Sequence, residues 1–380
     1  MVKTLFASSF GARIKEKLKV IIWKRKEIVP PRCVIVFTYL YLSCYQQDLL
    51  AVAQHALSGG MTQYNYVLFP ILTTLVLFLL QCGVFAITRV KKRFHALTYF
   101  PSLLILTIIT DIPTDIDTYH SLGSWCWLFP LLLILYSGIM WVIRQLGAYE
   151  PDIQKGLWLS RCTWINVLSL DVMILLVILI GNGNDVFHYR MRMESLMCEG
   201  KYQEALEVGA QSAHTDSSLT MLRIACLHKT GAMGDKLFTY PLVGGSKAMI
   251  PDSVTTKSMM WTTPKWMRKK VRGKFYYVKP LDYQLNAFLL DKKIDQFVHL
   301  VQSKYNIEND SLPTHYKEAL MLYTHRRLHP KVVYRNAVME ADFQDFQTLE
   351  RKYPNAMERN AALRDTYGNT YWYYYLYGKE

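Results

Sequence analysis

Apolar residues are concentrated in the first half of the chain, where they form runs. Each run is close to the length of about 20 residues that a helix needs to cross a bilayer. Two runs are interrupted, the first by Gln46, Gln47 and Asp48 and the third by Pro101. Beyond residue 182, polar and apolar residues mix at a helical period. The five runs cover residues 33–53, 66–87, 94–112, 126–146 and 163–181.

This pattern predicts an all-α protein with two main parts. Residues 33–182 are expected to form a polytopic transmembrane domain of about five helices, and residues 183–380 a soluble domain of helical hairpins. Residues 1–32 precede them as a basic amphipathic segment, with apolar residues at four-residue spacing. In the soluble part, residues 241–280 interrupt the helical pattern with glycines and prolines.

The positions of the cations predict a topology, because lysine and arginine collect in cytoplasmic connections. Residues 1–32 are rich in both, and residues 54–65 and 111–125 contain neither. Cations return in the other two connections, at Arg89, Lys91, Lys92, Arg93, Arg144, Lys155 and Arg161. We therefore expect a cytoplasmic amino terminus and an extracytoplasmic carboxyl-terminal domain, although Arg190 and Arg192 after the fifth run oppose this arrangement.

The formal net charge of +14 does not indicate nucleic acid, because half of the excess precedes the first apolar run. Basic flanks at that position favour anionic lipid. The seven cysteines form no CxxC pair and lie mostly in or beside apolar runs. Neither a disulfide framework nor a zinc site is predicted, and no sequence motif points to a cofactor.

One helical hairpin has a recognisable turn, EGKYQEAL, in which Gly200 makes the turn, Tyr202 packs back and Ala205 permits close helix approach. This segment resembles the turn of a tetratricopeptide repeat. The segment YQLNAFLLDKKIDQFVHLV is similar, with Asp291 and Ile294 in comparable places. Since about three units are needed to bury a continuous core, we predict a repeat-like helical stack.

The whole chain, ending in GNTYWYYYLYG, resembles an uncharacterised inner-membrane family of Bacteroidota. The resemblance implies a multi-pass protein of the bacterial inner membrane with a periplasmic carboxyl-terminal domain. It implies no known activity.

The connection DIPTDIDTYHSLGSW contains the candidate catalytic residues Asp111, Asp115, Asp117 and His120. Carboxylates beside an imidazole can bind a divalent cation or act as general acid and base. The loop is similar to that of membrane glycosyltransferases that use polyprenyl-linked sugars, which have many more spans. Aspartates also cap helices and favour turns, and this structural interpretation is the stronger one.

Asp171 lies inside the fifth apolar run. An ionisable group at that depth is either functional, for example in a proton relay, or hydrogen-bonded to a neighbouring helix. Asn166 and Ser169 suggest that this part of the helix faces protein.

Two aromatic groups are candidate contact surfaces. In residues 259–278, Trp261 and Trp266 alternate with cations that include Arg268, Lys269 and Lys270. This composition suits a membrane headgroup region or an anionic glycan, against the alternative of a solvated basic loop. Near the end of the chain, Tyr371, Trp372 and Tyr374 belong to a cluster that either caps the helical stack or binds a partner.

These features favour a membrane anchor or scaffold for an envelope complex, with the lipid bilayer and envelope proteins as partners and no nucleic acid. The alternative is a membrane enzyme that acts on a lipid-linked envelope substrate through the acidic loop. A weaker alternative is a transporter component that uses Asp171.

Overall fold

A computed structural model describes residues 31–88, 90, 92–114, 116, 123–146, 161–252, 255–262, 268–271, 274–277, 279–307 and 312–378. These residues are mainly helical, with one two-stranded antiparallel sheet. The chain divides into two compact units. The first comprises the described parts of Met1–Gln47, Asn65–Pro113 and Tyr119–Gly183, and the second those of Asp48–Tyr64, Thr114–Thr118 and Asn184–Glu380. The predicted amphipathic segment, residues 1–32, lies almost entirely outside the described residues.

The first unit contains the apolar helices. Four segments of the described chain are long and apolar enough to cross a membrane: Leu68–Thr88, Arg93–Thr110, Trp125–Gln145 and Thr163–Ile180. The helices of this unit are α1 (Pro31–Leu40), α3 (Leu68–Thr88), α4 (Phe100–Thr110), α5 (Trp125–Leu146) and α6 (Arg161–Ile180), while α2 (Gln47–Leu57) belongs to the second unit apart from its first residue.

The first apolar run does not form one continuous helix, so four of the five expected spans are found in the described residues as helices long enough to cross a membrane. α1 continues into a π-helical turn, Tyr41–Tyr45, and the helix breaks at Gln46 before α2 begins. Gln46 is fully buried, and its Nε2 donates to the Tyr41 hydroxyl at 3.1 Å and to the Asn182 carbonyl at 3.4 Å. The polar residues that interrupt the run in the sequence therefore mark a real break in the helix.

The third run begins with a 3₁₀ segment, Lys92–Tyr99, that continues into α4. Asn166 of α6 holds this segment: its Oδ1 accepts the Ala96 N–H at 2.7 Å, and its Nδ2 donates to the Arg93 carbonyl at 3.0 Å. Asn166 is fully buried, so this part of α6 faces protein, as its polar residues suggested.

The second unit is a stack of helices around one apolar core. The core extends from Met193 to Trp372 and is lined mainly by leucine, methionine and aromatic side chains. Its helices after α2 are α7 (Asp185–Cys198), α8 (Tyr202–Glu207), α9 (Ser217–Thr230), α10 (Met233–Lys236), α11 (Leu281–Leu290), α12 (Ile294–Lys304), α13 (Thr314–Arg326), α14 (Ala337–Lys352), α15 (Ala356–Tyr367) and α16 (Tyr371–Tyr377).

Three helical hairpins of this unit have the same turn. Gly200, Gly231 and Lys292 adopt positive φ angles of 79°, 70° and 56° after α7, α9 and α11. In each turn, the residue that follows the one with positive φ donates its N–H to the carbonyl of the residue five positions before it. The N···O distances are 2.9, 3.0 and 2.8 Å, and this is the hydrogen bond of a Schellman helix end. The first and third turns lie where the sequence predicted hairpins. The second was not predicted, since α10 has a single helical turn.

Candidate functional site: the basic aromatic insertion and the carboxyl-terminal cluster

The structure describes only part of the acidic connection. Asp111 ends α4, and its Oδ2 accepts the Trp125 indole N–H at 2.7 Å. Asp115, Asp117 and His120 lie outside the described residues. Asp111 therefore joins two apolar helices through a hydrogen bond, and the described part of the connection does not bring the other predicted site residues to it.

Asp171 has an exposed side chain near the middle of α6. A residue that lines a pathway for ions or substrates faces the bundle interior or a water-filled cavity. The structure instead places Asp171 on the outer surface of the first unit.

The basic aromatic insertion, residues 241–280, interrupts the helical pattern of the second unit. It is attached to the helices of that unit through Glu194 of α7. Glu194 is fully buried, and its Oε2 accepts the backbone N–H groups of Met259, Met260 and Trp261 at 2.7, 2.6 and 3.3 Å. Burial raises the pKa of Glu194 above its ordinary value, and the three N–H groups and nearby Arg190 offset this only in part. One carboxyl group thus fixes the backbone at the start of the insertion's exposed part.

Two further contacts hold the residues just before this point. Arg190 donates from Nη2 to the Lys257 carbonyl at 3.1 Å, and the Lys257 N–H donates to the Ser218 hydroxyl at 3.0 Å. Arg190 also forms an ion pair with Asp216 at 3.4 Å. Since Arg190 lies on α7 and Ser218 on α9, these contacts attach the backbone of Lys257 to the first helices of the stack.

The start of the insertion is held by a buried cation that the sequence analysis missed. Arg223 of α9 is fully buried and donates to the carbonyls of Gly209 and Pro241 at 3.0 and 3.1 Å. Burial lowers the pKa of its guanidinium to about 10. In the sequence, Arg223 and Glu194 lie in helices of mixed composition that contain other charged residues, and only their burial shows their role.

Between these anchored ends and α11, the insertion forms a β-hairpin rather than an irregular loop. β1 (Arg268–Val271) pairs with β2 (Lys274–Tyr277) in antiparallel register. The register places Arg268 opposite Tyr277, Lys269 opposite Tyr276, and Lys270 opposite Phe275. Each cation at a predicted contact position is therefore the backbone partner of an aromatic residue.

Of the two tryptophans of the insertion, the structure describes only Trp261. Trp261 is partly buried and packs against the core of the helical unit. Trp266 lies outside the described residues. Trp261 therefore contributes to attaching the insertion, and only its uncovered part is left for a contact.

The carboxyl-terminal cluster is mostly part of the core. Tyr371 is fully buried and Trp372 is 2% exposed. The Trp372 indole N–H donates to the Glu318 carbonyl at 2.8 Å, and its ring contacts those of Phe343 and Phe346. These two residues are buried in the stack and present no surface to a partner, so the capping alternative describes them.

Tyr374 is partly buried, and its hydroxyl donates to the Leu290 carbonyl at 2.9 Å. Lys292, the non-glycine residue with positive φ, lies over the Tyr374 ring at 5.9 Å and donates to the Gly378 carbonyl at 3.0 Å. The end of the chain is therefore fixed to the α11–α12 turn.

A buried histidine and glutamate under this cluster were also missed. His315 Nδ1 lies 2.9 Å from Glu318 Oε2, which also accepts the Tyr371 N–H at 2.7 Å. Both side chains are almost completely buried. Their i, i+3 spacing on α13 is the only signal in the sequence, and it is common on helices.

The described chain is thus a helical protein with four candidate membrane-spanning helices. Residues 278–378, which include α11 to α16, match a family described as a family of unknown function (DUF6057). No curated protein and no solved structure matches this chain. The match agrees with the expected likeness to an uncharacterised family, and it contains the His315–Glu318 pair and the carboxyl-terminal cluster.

Proposed function

We propose that this chain is an inner-membrane scaffold whose helical unit holds protein partners at the outer face of the membrane. The four candidate spans supply the anchor. Stacked helix pairs offer extended surfaces for partners. The resemblance to inner-membrane proteins of Bacteroidota supports this location.

The composition of the second unit carries the proposal. Asp48–Tyr64 and the described residues Thr114 and Ile116, which belong to two connections of the membrane part, group with the described residues of Asn184–Glu380. Arg192 of α7 forms an ion pair with Asp48 of α2 at 3.2 Å. The helical unit thus includes three separate parts of the sequence. The chain therefore links this unit to the candidate spans at several places and not through one connection.

The spacing of the spans supports an extracytoplasmic position for this unit. Two candidate spans separate Asp48–Tyr64 from Thr114–Thr118, and two more separate Thr114–Thr118 from Asn184. An even number of crossings returns a chain to the same face. The cation-rich connections lie inside these pairs, where the cytoplasmic side is favoured. The number of crossings between these segments is the same whether or not the first apolar run crosses the membrane.

The amino terminus is a separate question. Its basic residues favour the cytoplasm, which would require the first apolar run to cross as well. The continuous helix Arg32–Tyr45 is about 21 Å long, against a hydrocarbon thickness of about 30 Å. A crossing there needs local thinning of the bilayer or residues beyond the helix.

A phosphatase that folds only outside the cytoplasm tests the topology. We expect a fusion after Tyr377 to be active, and a fusion after residue 155, in a cation-rich connection, to be inactive. An inactive but stable and membrane-inserted Tyr377 fusion would contradict the proposed side of the membrane.

The loop between α13 and α14 is the best candidate for the partner contact. In this loop Leu328 is 97% exposed and Val333 is 52% exposed, and Val338, in the first turn of α14, is 72% exposed. Exposed Arg327 and Lys331 flank these apolar residues. The loop lies within the family match. Exposed apolar residues that lie near one another in the sequence favour a contact surface. We therefore assign the partner contact to this loop and the start of α14, because Tyr371 and Trp372 are buried.

The double variant Leu328→Asp/Val338→Asp tests this contact in the full chain. After crosslinking in intact cells and purification, we expect recovery of the specific partners to fall about tenfold, since apolar contact residues dominate binding energy. The melting temperature should not change, because both side chains are exposed. Met357→Asp is the matched control, since Met357 is 82% exposed at the start of α15. Equal recovery from the double variant and the control would contradict the contact.

The membrane surface is a second proposed partner, through the hairpin of the basic aromatic insertion. The support is its register, which pairs cations with aromatic residues, a combination suited to headgroups. The enzyme alternative depends on Asp115, Asp117 and His120, which the described structure does not include.

A further inference from the structure

The helix α6 has a line of exposed residues at heptad spacing. Trp164, Leu168, Leu175 and Ile178 are 61%, 65%, 53% and 45% exposed. Asp171, also exposed, lies in the middle of the same line. The intervals between these five residues alternate between four and three, the pattern by which two helices pack along one seam.

The apolar members of this seam are ordinary for a helix in lipid, but Asp171 is not. A carboxyl group in hydrocarbon is costly unless it is hydrogen-bonded or reaches water. Asp171 is near the midpoint of the candidate span Thr163–Ile180, far from both membrane surfaces. It forms no hydrogen bond or ion pair with another residue that the structure describes. One copy of the described chain therefore leaves this group uncovered.

We propose that α6 packs along this seam against α6 of a second copy of the chain, with the two Asp171 side chains facing each other. Both copies have the same orientation in the membrane, so a two-fold axis normal to the bilayer brings each seam residue near its equivalent. The heptad spacing gives a left-handed crossing of about 20°.

The chemistry of the carboxyl group supports a second copy as the occupant. In hydrocarbon, where water is absent, a carboxyl group can find its hydrogen-bond partner in a second carboxyl group that faces it. Each copy thus supplies what the other lacks, and no foreign basic group is needed. Polar side chains at such positions strengthen the association of membrane helices. The inference concerns the membrane unit and does not depend on the scaffold function.

Disulfide crosslinking in native membranes tests the seam directly. In a background without the seven native cysteines, Leu175→Cys places a thiol on the seam. Leu176→Cys places one on the adjacent residue, about 100° around the helix. The two leucines form a matched pair for this comparison, because their side chains are exposed to a similar extent, 53% and 47%. Since a disulfide needs Cα atoms closer than about 7 Å, we expect efficient dimer formation only for Leu175→Cys.

The role of Asp171 is tested by two substitutions in the Leu175→Cys background. Asp171→Leu removes the hydrogen bond, and we expect about tenfold less crosslinked dimer at equal expression. Asp171→Asn retains a group that can both donate and accept, so we expect it to keep most of the dimer. Val172→Leu, a change beside Asp171 but off the seam, should have no effect.

Three results would overturn the proposal. Crosslinking of neither cysteine variant, with a monomeric full chain in lipid nanodiscs, would exclude the second copy. Equal crosslinking of both would indicate random collision. Undiminished crosslinking in Asp171→Leu would show that the carboxyl group does not hold the two copies together.

Discussion

Replacing Glu194 with alanine is expected to release the base of the basic aromatic insertion from the helical unit. The three N–H groups of residues 259–261 lose their acceptor, and a buried site is left without its carboxyl group. Because a buried donor that is left without its acceptor costs about 1–3 kcal/mol, we expect these amides to exchange at least about tenfold faster in hydrogen–deuterium exchange of the full chain. Glu199→Ala is the matched control, because Glu199 is exposed at the end of the same helix and pairs only with Lys201. Unchanged exchange in the Glu194 variant would contradict the anchoring role.

Glu194 should also make stability depend on pH in a defined direction. Burial raises its pKa in the folded protein above the ordinary value of 4.5, so between these two values the folded state binds more protons than the unfolded state. The contribution of this group to stability therefore falls as the pH rises from 4.5 through the folded pKa. Glu194→Gln keeps an acceptor for the three N–H groups but cannot titrate. In thermal unfolding of the full chain, the melting temperature of Glu194→Gln relative to the wild type should rise with pH across this window. A constant difference would show that the pKa is not raised.

Replacing Trp372 with alanine is expected to be the most destabilising single change in the carboxyl-terminal cluster. The indole ring is 2% exposed, packs on Phe343 and Phe346, and donates a hydrogen bond to the backbone of α13. Losing a buried tryptophan costs about 3–5 kcal/mol. The expected measurement is a large fall in the melting temperature of the helical unit within the full chain, followed by a fluorophore on that unit.

Tyr375→Ala is the control for this prediction. Tyr375 is partly buried at the edge of the core, where its ring contacts that of Tyr371 and Arg326 lies over it at 5.1 Å. Its loss should cost well under half as much, since an exposed cation–π contact contributes about 0.5–1 kcal/mol. If both variants unfold at the same temperature, the cluster does not cap the stack in the way described.

The helices of this chain are largely readable from its sequence, because burial there follows local periodicity. The hairpin turn at Gly200 is one example: the glycine adopts positive φ, and Ala205 is fully buried, as its small side chain suggested. The first apolar run is the counterexample. Hydropathy treats it as one segment, but Asp48 pairs with Arg192, 144 residues away, and a local pattern contains no information about such a partner.

The candidate sites were less predictable for the same reason. Glu194 and Arg223 anchor the basic aromatic insertion, but their importance lies in which distant backbone groups they meet. Tyr371 and Trp372 stand out in the sequence as an aromatic cluster, but composition alone does not distinguish rings that fill a core from rings that bind a partner. Asp171 differs from these residues because the sequence alone marks it as unusual. A polar residue in a spanning helix is expected to face protein, but the sequence does not show whether that protein is the same chain.

The three-part composition of the helical unit has a consequence for biogenesis. α2 is synthesised before most of the unit exists, so it lacks its packing partners until α7 and the following helices emerge. Folding of the unit is therefore linked to correct insertion of the four candidate spans. A soluble fragment that begins at Asn184 would lack the acidic partner of Arg192 and the whole of α2. The unit is therefore synthesised in separated segments, and its fold is complete only when the later helices pack with α2.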